Sequence, residues 1–210
     1  MAFLLGLKTS FVAVLVLVSS CVLPAEADVR AVNQCPYDLT LFYQNETPGS
    51  TQQRYLPRNS AMDLGLPNPW TGGLMWASPH GNSDAGQCTQ LEFNIGAEGR
   101  DYYDISLVNA YNVPAMINPT YLANGDYRND HECGTIMCSI PDLSAMCQNG
   151  NYYQGPDGAC INRDGPTGGP TPGTELVKQL CPNVYPSCNE NAGVVFACNT
   201  GSNYDAIWCP

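Results

Sequence analysis

Basic residues are scarce in this chain. Its 210 residues include 8 lysines and arginines against 19 aspartates and glutamates, a formal net charge of −11. Lys178 is the only lysine beyond the first 27 residues, and His80 and His131 are the only histidines. A surface so poor in cations repels phosphate backbones and anionic headgroups, which argues against nucleic acid and membrane surfaces as partners. Neutral and cationic ligands stay open. Several chemical signatures are missing too. No two cysteines have the two-residue spacing of a zinc ribbon, and the adjacent side chains of His131-Glu132-Cys133 do not readily converge on one ion, so no metal is expected. No glycine-rich phosphate loop follows a strand-like run, no G-x-S-x-G elbow is present, and neither histidine sits in a motif that supports a serine dyad, so no cofactor is expected. Long apolar runs are also lacking: downstream of Leu23 none approaches the roughly 20 residues of a spanning helix, and no stable membrane anchor is expected.

What is present starts with a leader. Lys8 precedes the apolar run Phe11 to Leu23, about 13 residues, which suits the core of a signal peptide, and Ala25-Glu26-Ala27 supplies the small residues of a cleavage site. Residues 1–27 therefore read as a signal peptide, with an uncleaved anchor as the alternative; the lipoprotein-like Val18-Ser19-Ser20-Cys21 fits its box poorly. Cleavage before Asp28 would leave a secreted, extracellular chain of residues 28–210. It also removes Cys21 from 11 cysteines and leaves an even ten, which in a secreted chain reads as a disulfide framework.

The full chain has 20 glycines and 17 prolines, all but Gly6 and Pro24 beyond the leader, and they punctuate short alternating runs, so the remainder is expected to be all-β, many short strands in a sandwich or barrel. Tyr37 to Tyr43 reads as a strand. Leu91, Phe93 and Ile95 alternate with Glu92 and Asn94, so Glu92 should face away from the core. Tyr103, Ile105 and Leu107 share one face of the next strand, with Asp104 and Ser106 on the other. Val194–Cys198 and Ala206–Cys209, joined by Asn199–Asn203, suggest a hairpin with a longer loop. Between about 130 and 181 the pattern weakens into a loop-rich lobe. There, Gly165–Gly173 should be a connector without regular structure, and Thr174 should cap a short helix bearing Leu176, Val177, Leu180 and Cys181 on one face.

Several segments in order resemble the thaumatin family. They are Asn33-Gln-Cys-Pro-Tyr37, Leu91-Glu-Phe93 followed by Asp101-Tyr-Tyr-Asp-Ile-Ser-Leu-Val108, Tyr111-Asn-Val-Pro114, Cys181-Pro-Asn-Val-Tyr185, Phe196-Ala-Cys198, and Asn203-Tyr204 through Cys209-Pro210. The chain is similar to the small members with ten cysteines. The resemblance implies a flattened two-sheet β-sandwich, a loop-rich disulfide-stapled second lobe, and an acidic cleft between them. It implies the pairs Cys35–Cys209, Cys133–Cys198, Cys138–Cys181 and Cys147–Cys160; the two cysteines left over, Cys88 and Cys188, are expected to pair with each other.

The family is known for binding β-1,3-glucan and, in some members, hydrolysing it weakly. Its cleft pattern is an arginine, a glutamate and three aspartates. Here the glutamate matches Glu92 and the first aspartate Asp104. The second falls at Asn109, the third at Glu190, and the arginine falls within Gly72–Ser78, which has none. Asp101 is a spare carboxylate nearby, or simply a solvated turn residue. Trp70, Trp76, Tyr102, Tyr111, Tyr152 and Tyr153 are candidate sugar platforms, with core positions favoured for Trp76 and Trp208. Asn45-Glu46-Thr47 is one glycosylation sequon, weakened by Pro48. The expected function is binding of β-1,3-glucan, or another cell-wall polysaccharide, by a monomer with a defence or cell-wall role. Glycoside hydrolysis needs two carboxyl groups across the scissile bond. The enzymatic alternative is an endo-β-1,3-glucanase using Glu92 with Asp104 or Glu190. A third possibility is an inhibitor or interaction protein acting through its loops.

Overall fold

The computed structural model describes residues 28–47, 49–123, 125–128, 132–147, 152–189 and 193–210. The proposed leader with Cys21, and also His131 and Glu190, lie outside these described residues. The strands are β1 (Val29–Asn33), β2 (Leu39–Gln44), β3 (Gln52–Leu56), β4 (Ser60–Asp63), β5 (Trp70–Ser78), β6 (Gln90–Ala97) and β7 (Arg100–Ser106). They continue with β8 (Ala110–Tyr111), β9 (Ala115–Tyr121), β10 (Ile136–Cys138), β11 (Tyr152–Gln154), β12 (Cys160–Asn162), β13 (Phe196–Asn199) and β14 (Asn203–Trp208). Two short helices, α1 (Leu143–Cys147) and α2 (Pro172–Leu180), complete the regular elements used below.

The chain forms a two-sheet sandwich. One sheet has the order β10-β9-β14-β1-β4 and the other β13-β7-β6-β5-β2-β3. Period-two alternation explains why these strands face as they do: a side chain on one face forces its neighbours to the other. Along β6, Leu91, Phe93 and Ile95 are buried between the sheets, while Glu92 and Asn94 point outward and are half-buried. Tyr103 and Ile105 continue the inner face on β7. From the facing sheet Val29, Ala31, Ile117, Tyr204, Ala206 and Trp208 complete the core. The ring of Phe93 lies 6.0 Å from Tyr204 and that of Tyr103 lies 5.3 Å from it, tying the layers together.

The C-terminal hairpin expected from sequence does not form. β13 pairs antiparallel with β7 in the six-stranded sheet, whereas β14 pairs with β1 and β9 in the other. The Asn199–Asn203 segment is therefore a crossing between layers. Both strands alternate correctly, but alternation does not identify the neighbour. α2 also begins earlier than expected. Thr171 is its N-cap, accepting from Thr174 N, and the Thr174 hydroxyl accepts from Thr171 N, a reciprocal capping box. Leu180 is exposed, and of the expected apolar face Val177 and Cys181 are the buried members.

From the loop-rich segment, β11 and β12 join β8 in a small three-stranded sheet, β11-β12-β8, with α1 packed against β11 and β12 and α2 reached by Tyr152. Among the described residues four disulfides are present: Cys35–Cys209, Cys133–Cys198, Cys138–Cys181 and Cys147–Cys160, the four pairs implied by the resemblance. Cys88 and Cys188 are not bonded to each other. Cys88 is buried against the stacked rings of Phe42 and Trp76, outside the main core, and burial pushes its thiol pKa up to about 12. Cys188 is exposed, its Sγ 3.4 Å from the Pro166 carbonyl. The two thiols sit in different surroundings, and neither braces the other.

Candidate functional site

The outward face of the six-stranded sheet carries the site. Register aligns Gln44, Leu74, Glu92 and Asp104 in one row across β2, β5, β6 and β7. The row on one side is Phe42, Trp76, Gln90 and Ser106. The row on the other side pairs Asn94 with Tyr102. Phe42 and Trp76 stack at 5.5 Å and are covered, so the β2–β5 end of that row is closed, while Gln90 on β6 stays at the edge of the open space. The remaining rows border an open cavity of about 650 Å³, whose lining includes Leu74, Gln90, Glu92, Asn94, Tyr102 and Asp104. Gln44, Asn45, Glu46, Thr47 and Gly49, from the end of β2 and its connection to β3, line the same cavity.

A local irregularity in β5 brings Glu46 there. Register slips between Trp70 and Gly73, and Gly72 adopts a φ of +55°, a backbone conformation that disfavours any residue with a Cβ. A Cβ at Gly72 would also collide with Cγ of Glu46, so the glycine lets Glu46 lie directly against the sheet. Glu46 was not singled out from the sequence, because its place depends on this bulge. Asn94 could have been found by alternation, since it shares the outward face with Glu92.

Glu92 and Asp104 are side-by-side partners on adjacent strands. Directly opposed residues in such a pair have Cβ atoms roughly 4.5–5.5 Å apart, close enough for like charges to oppose each other. Burial raises the pKa of Glu92, and the hydrogen bond from Ser106 offsets this in part. Burial also raises Asp104 well above the usual carboxylate range, and the charge on Glu92 raises it further. Among the described residues, Asp104 Oδ1 and Asn94 Oδ1 are buried without a hydrogen-bond donor. No lysine, arginine or histidine among the described residues lines the cavity. Leu74 occupies the place beside Glu92 where a counter-ion could have stood.

The other site residues expected from sequence are dispersed. Asp101 is not a solvated turn residue. The turn is Glu98-Gly99, both with positive φ, and Asp101 lies on the inner face of β7, fully buried. It accepts from Gly96 N at 2.8 Å and from the Tyr204 hydroxyl at 3.0 Å. Asn109 lies between β7 and β8, outside the cavity lining, and its carbonyl accepts from Asn162 N at 2.8 Å. Tyr152 is buried in the second lobe with its hydroxyl on the Gly173 carbonyl. Tyr153 is exposed there, with the Arg163 guanidinium 5.0 Å from its ring centre. Neither lines the cavity. Trp70, Trp76 and Tyr111 are buried too, which leaves Tyr102 as the proposed platform that reaches the cavity.

Among the described residues, Asp126, Cys133 and Cys198 form one group of three potential metal ligands. Its two sulfurs are bonded to each other, and Asp126 Oδ2 accepts from Asn199 N at 2.6 Å. No helix among the described residues is long and apolar enough to cross a membrane.

The chain is similar to several known proteins. A glucan endo-1,3-beta-glucosidase of Prunus avium is 28% identical, covering 88% of this chain and 91% of its own length. Pathogenesis-related protein 5 of Arabidopsis thaliana is 27% identical over 93% of this chain and 95% of its own. Among solved structures, a thaumatin-like xylanase inhibitor aligns with 88% of this chain and all of its own, at 11% identity and a TM-score of 0.47. The family model described as "Thaumatin family" matches residues 78–210, more than half of the chain. The chain therefore belongs to the thaumatin family.

Proposed function

We propose that this protein is secreted and binds β-1,3-glucan in the cleft above β5, β6 and β7, in a defence or cell-wall role. The observation that carries the reading is the lining of the cavity. Amides of Gln44, Asn45, Gln90 and Asn94 and carboxyls of Glu46, Glu92 and Asp104 surround an open space of about 650 Å³. A lining rich in donors and acceptors, with Tyr102 and Leu74 as apolar contacts, suits a hydroxylated chain, and the volume lies within the roughly 300–1,000 Å³ of ligand sites. The leader reading, the even cysteine count beyond it and the disulfides support an oxidising, extracellular setting.

Binding is favoured over hydrolysis by the placement of the acids. A glycosidase sets one carboxylic acid and one ionised carboxylate on either side of the scissile bond. Glu92 and Asp104 instead project side by side from one sheet face, and both are held toward their protonated forms. That arrangement does not set Glu92 and Asp104 across a substrate from each other. The enzymatic reading keeps one support, the name of the Prunus avium relative. The test is a glucan pull-down together with reducing-sugar release from laminarin. Wild type should be retained on glucan and release no sugar above background. Release that Glu92→Gln abolishes would establish hydrolysis instead, and no retention would remove the glucan reading.

A further inference from the structure

The cleft has a surplus of acceptors. Glu46, Glu92 and Asp104 bring three carboxyl groups, and among the described residues Asp104 Oδ1 and Asn94 Oδ1 have no donor and no cationic side chain lines the space. What would satisfy this surface is positive charge and several donors at one point. A sugar hydroxyl supplies one donor and no charge, whereas a primary ammonium supplies three donors and a full charge. We propose that the cleft prefers sugar units bearing a free ammonium, namely glucosamine units of a partly N-deacetylated polysaccharide, and that this group seats between Glu92 and Asp104.

This inference rests on the reading of the cavity as a polysaccharide cleft and specifies the chemistry of its ligand. A sugar fits better than a lysine-bearing peptide. The same space offers the amides of Gln44 and Gln90 to ring hydroxyls and Tyr102 to a ring face, which an aliphatic lysine stem would leave unmet. Leu74 contributes in another way. As the register partner of Glu92 on the side away from Asp104, it supplies no counter-charge, so the carboxyl pair is left for a cation brought by the ligand.

The experiment is calorimetric titration of the purified, oxidised protein at pH 6 and low ionic strength with three oligosaccharides. They are hexameric β-1,4-glucosamine, its fully N-acetylated counterpart, and laminarihexaose. The first two share linkage and length and differ in the ammonium. The glucosamine hexamer should bind about tenfold tighter than its acetylated counterpart, the ratio that ~1.4 kcal/mol makes. Glu92→Gln and Asp104→Asn should each remove most of that difference. Leu74→Arg, which places a guanidinium beside Glu92, should remove it by a separate route, so a fold defect in one variant does not decide the result. Binding of laminarihexaose with no preference for glucosamine overturns this inference and leaves the glucan reading intact. Binding of the glucosamine hexamer without laminarihexaose supports the inference and removes β-1,3-glucan as the ligand. Failure of all three overturns both. Poly-lysine binding as tightly, and in competition with the glucosamine hexamer, would make the cleft a general cation site and overturn the sugar assignment.

Discussion

Asp101 and Asp104 sit three residues apart on β7, on opposite faces of one sheet, and their surroundings differ completely. Asp101 faces the core, where Gly96 N and the Tyr204 hydroxyl donate to it. Asp104 faces the cavity beside Glu92, with Oδ1 unmet by any donor among the described residues. Burial raises the pKa of both, but only at Asp101 do donors from the protein offset it. A buried carboxylate whose acceptors are filled belongs to the architecture. One left unfilled beside an open space is a cost to the fold that a ligand can relieve.

The largest effect should come from the inner face. Asp101→Ala strips the acceptor from two donors in the core, and an unmet buried donor costs about 1–3 kcal/mol. Chemical denaturation of this variant should show a loss on the order of 3 kcal/mol, with Tyr204 left unpaired. A loss within experimental error would break the comparison, because Asp101 would then be as dispensable to the fold as a cleft residue.

On the outer face the sign reverses. Asp104 has its pKa raised on folding, so the folded state holds its proton where the unfolded chain has released it. Its contribution to stability is fully present below the unfolded value of about 3.9 and is lost as pH rises through the higher folded value. Asp104→Asn removes the titrating charge and the repulsion with Glu92. Its melting temperature at pH 7 should exceed wild type by roughly 2–4 °C, the shift that about 1 kcal/mol produces in a domain of this size. The gain should shrink toward zero near pH 4, and oligosaccharide binding should fall. A destabilised Asp104→Asn at pH 7 would erase the distinction between the two faces.

How far the sequence anticipates this arrangement follows from which interactions are local. The outward placement of Glu92 and Asp104 is legible because alternation is a property of one strand. That they stand side by side is not, since it needs the β6–β7 register set by the Glu98-Gly99 turn. The same limit explains the misplaced Asp101: its partners are Tyr204, more than 100 positions away, and Gly96 at an irregular point of β6. The separation of β13 from β14 was hidden for the same reason, since both strands carry correct patterns but join different sheets. The count of leftover cysteines joins Cys88 to Cys188, but the structure leaves both unbonded. The burial of Cys88 against Phe42 and Trp76 depends on the cover over the outer face of β5, which no run of residues announces. Glu46 escaped notice because only the bulge at Gly72 turns the end of β2 into part of the cleft.

The smallest predicted effects separate the two lobes by way of their tyrosines. Tyr102 lines the cavity beside Asn94, and Tyr153 is exposed on the second lobe under Arg163, outside that lining. If the cleft alone holds the sugar chain, Tyr102→Ala should weaken binding of the preferred hexamer by a few-fold to about tenfold, as loss of an aromatic contact of ~0.5–1.5 kcal/mol would. Tyr153→Ala should change it by less than about twofold and leave stability within roughly 0.5 kcal/mol, as for an ordinary surface position. Titration of the two variants side by side decides between a ligand confined to the sheet face and one that extends over the second lobe. An equal loss in both would carry the binding surface across to β11 and return Tyr153 to the site.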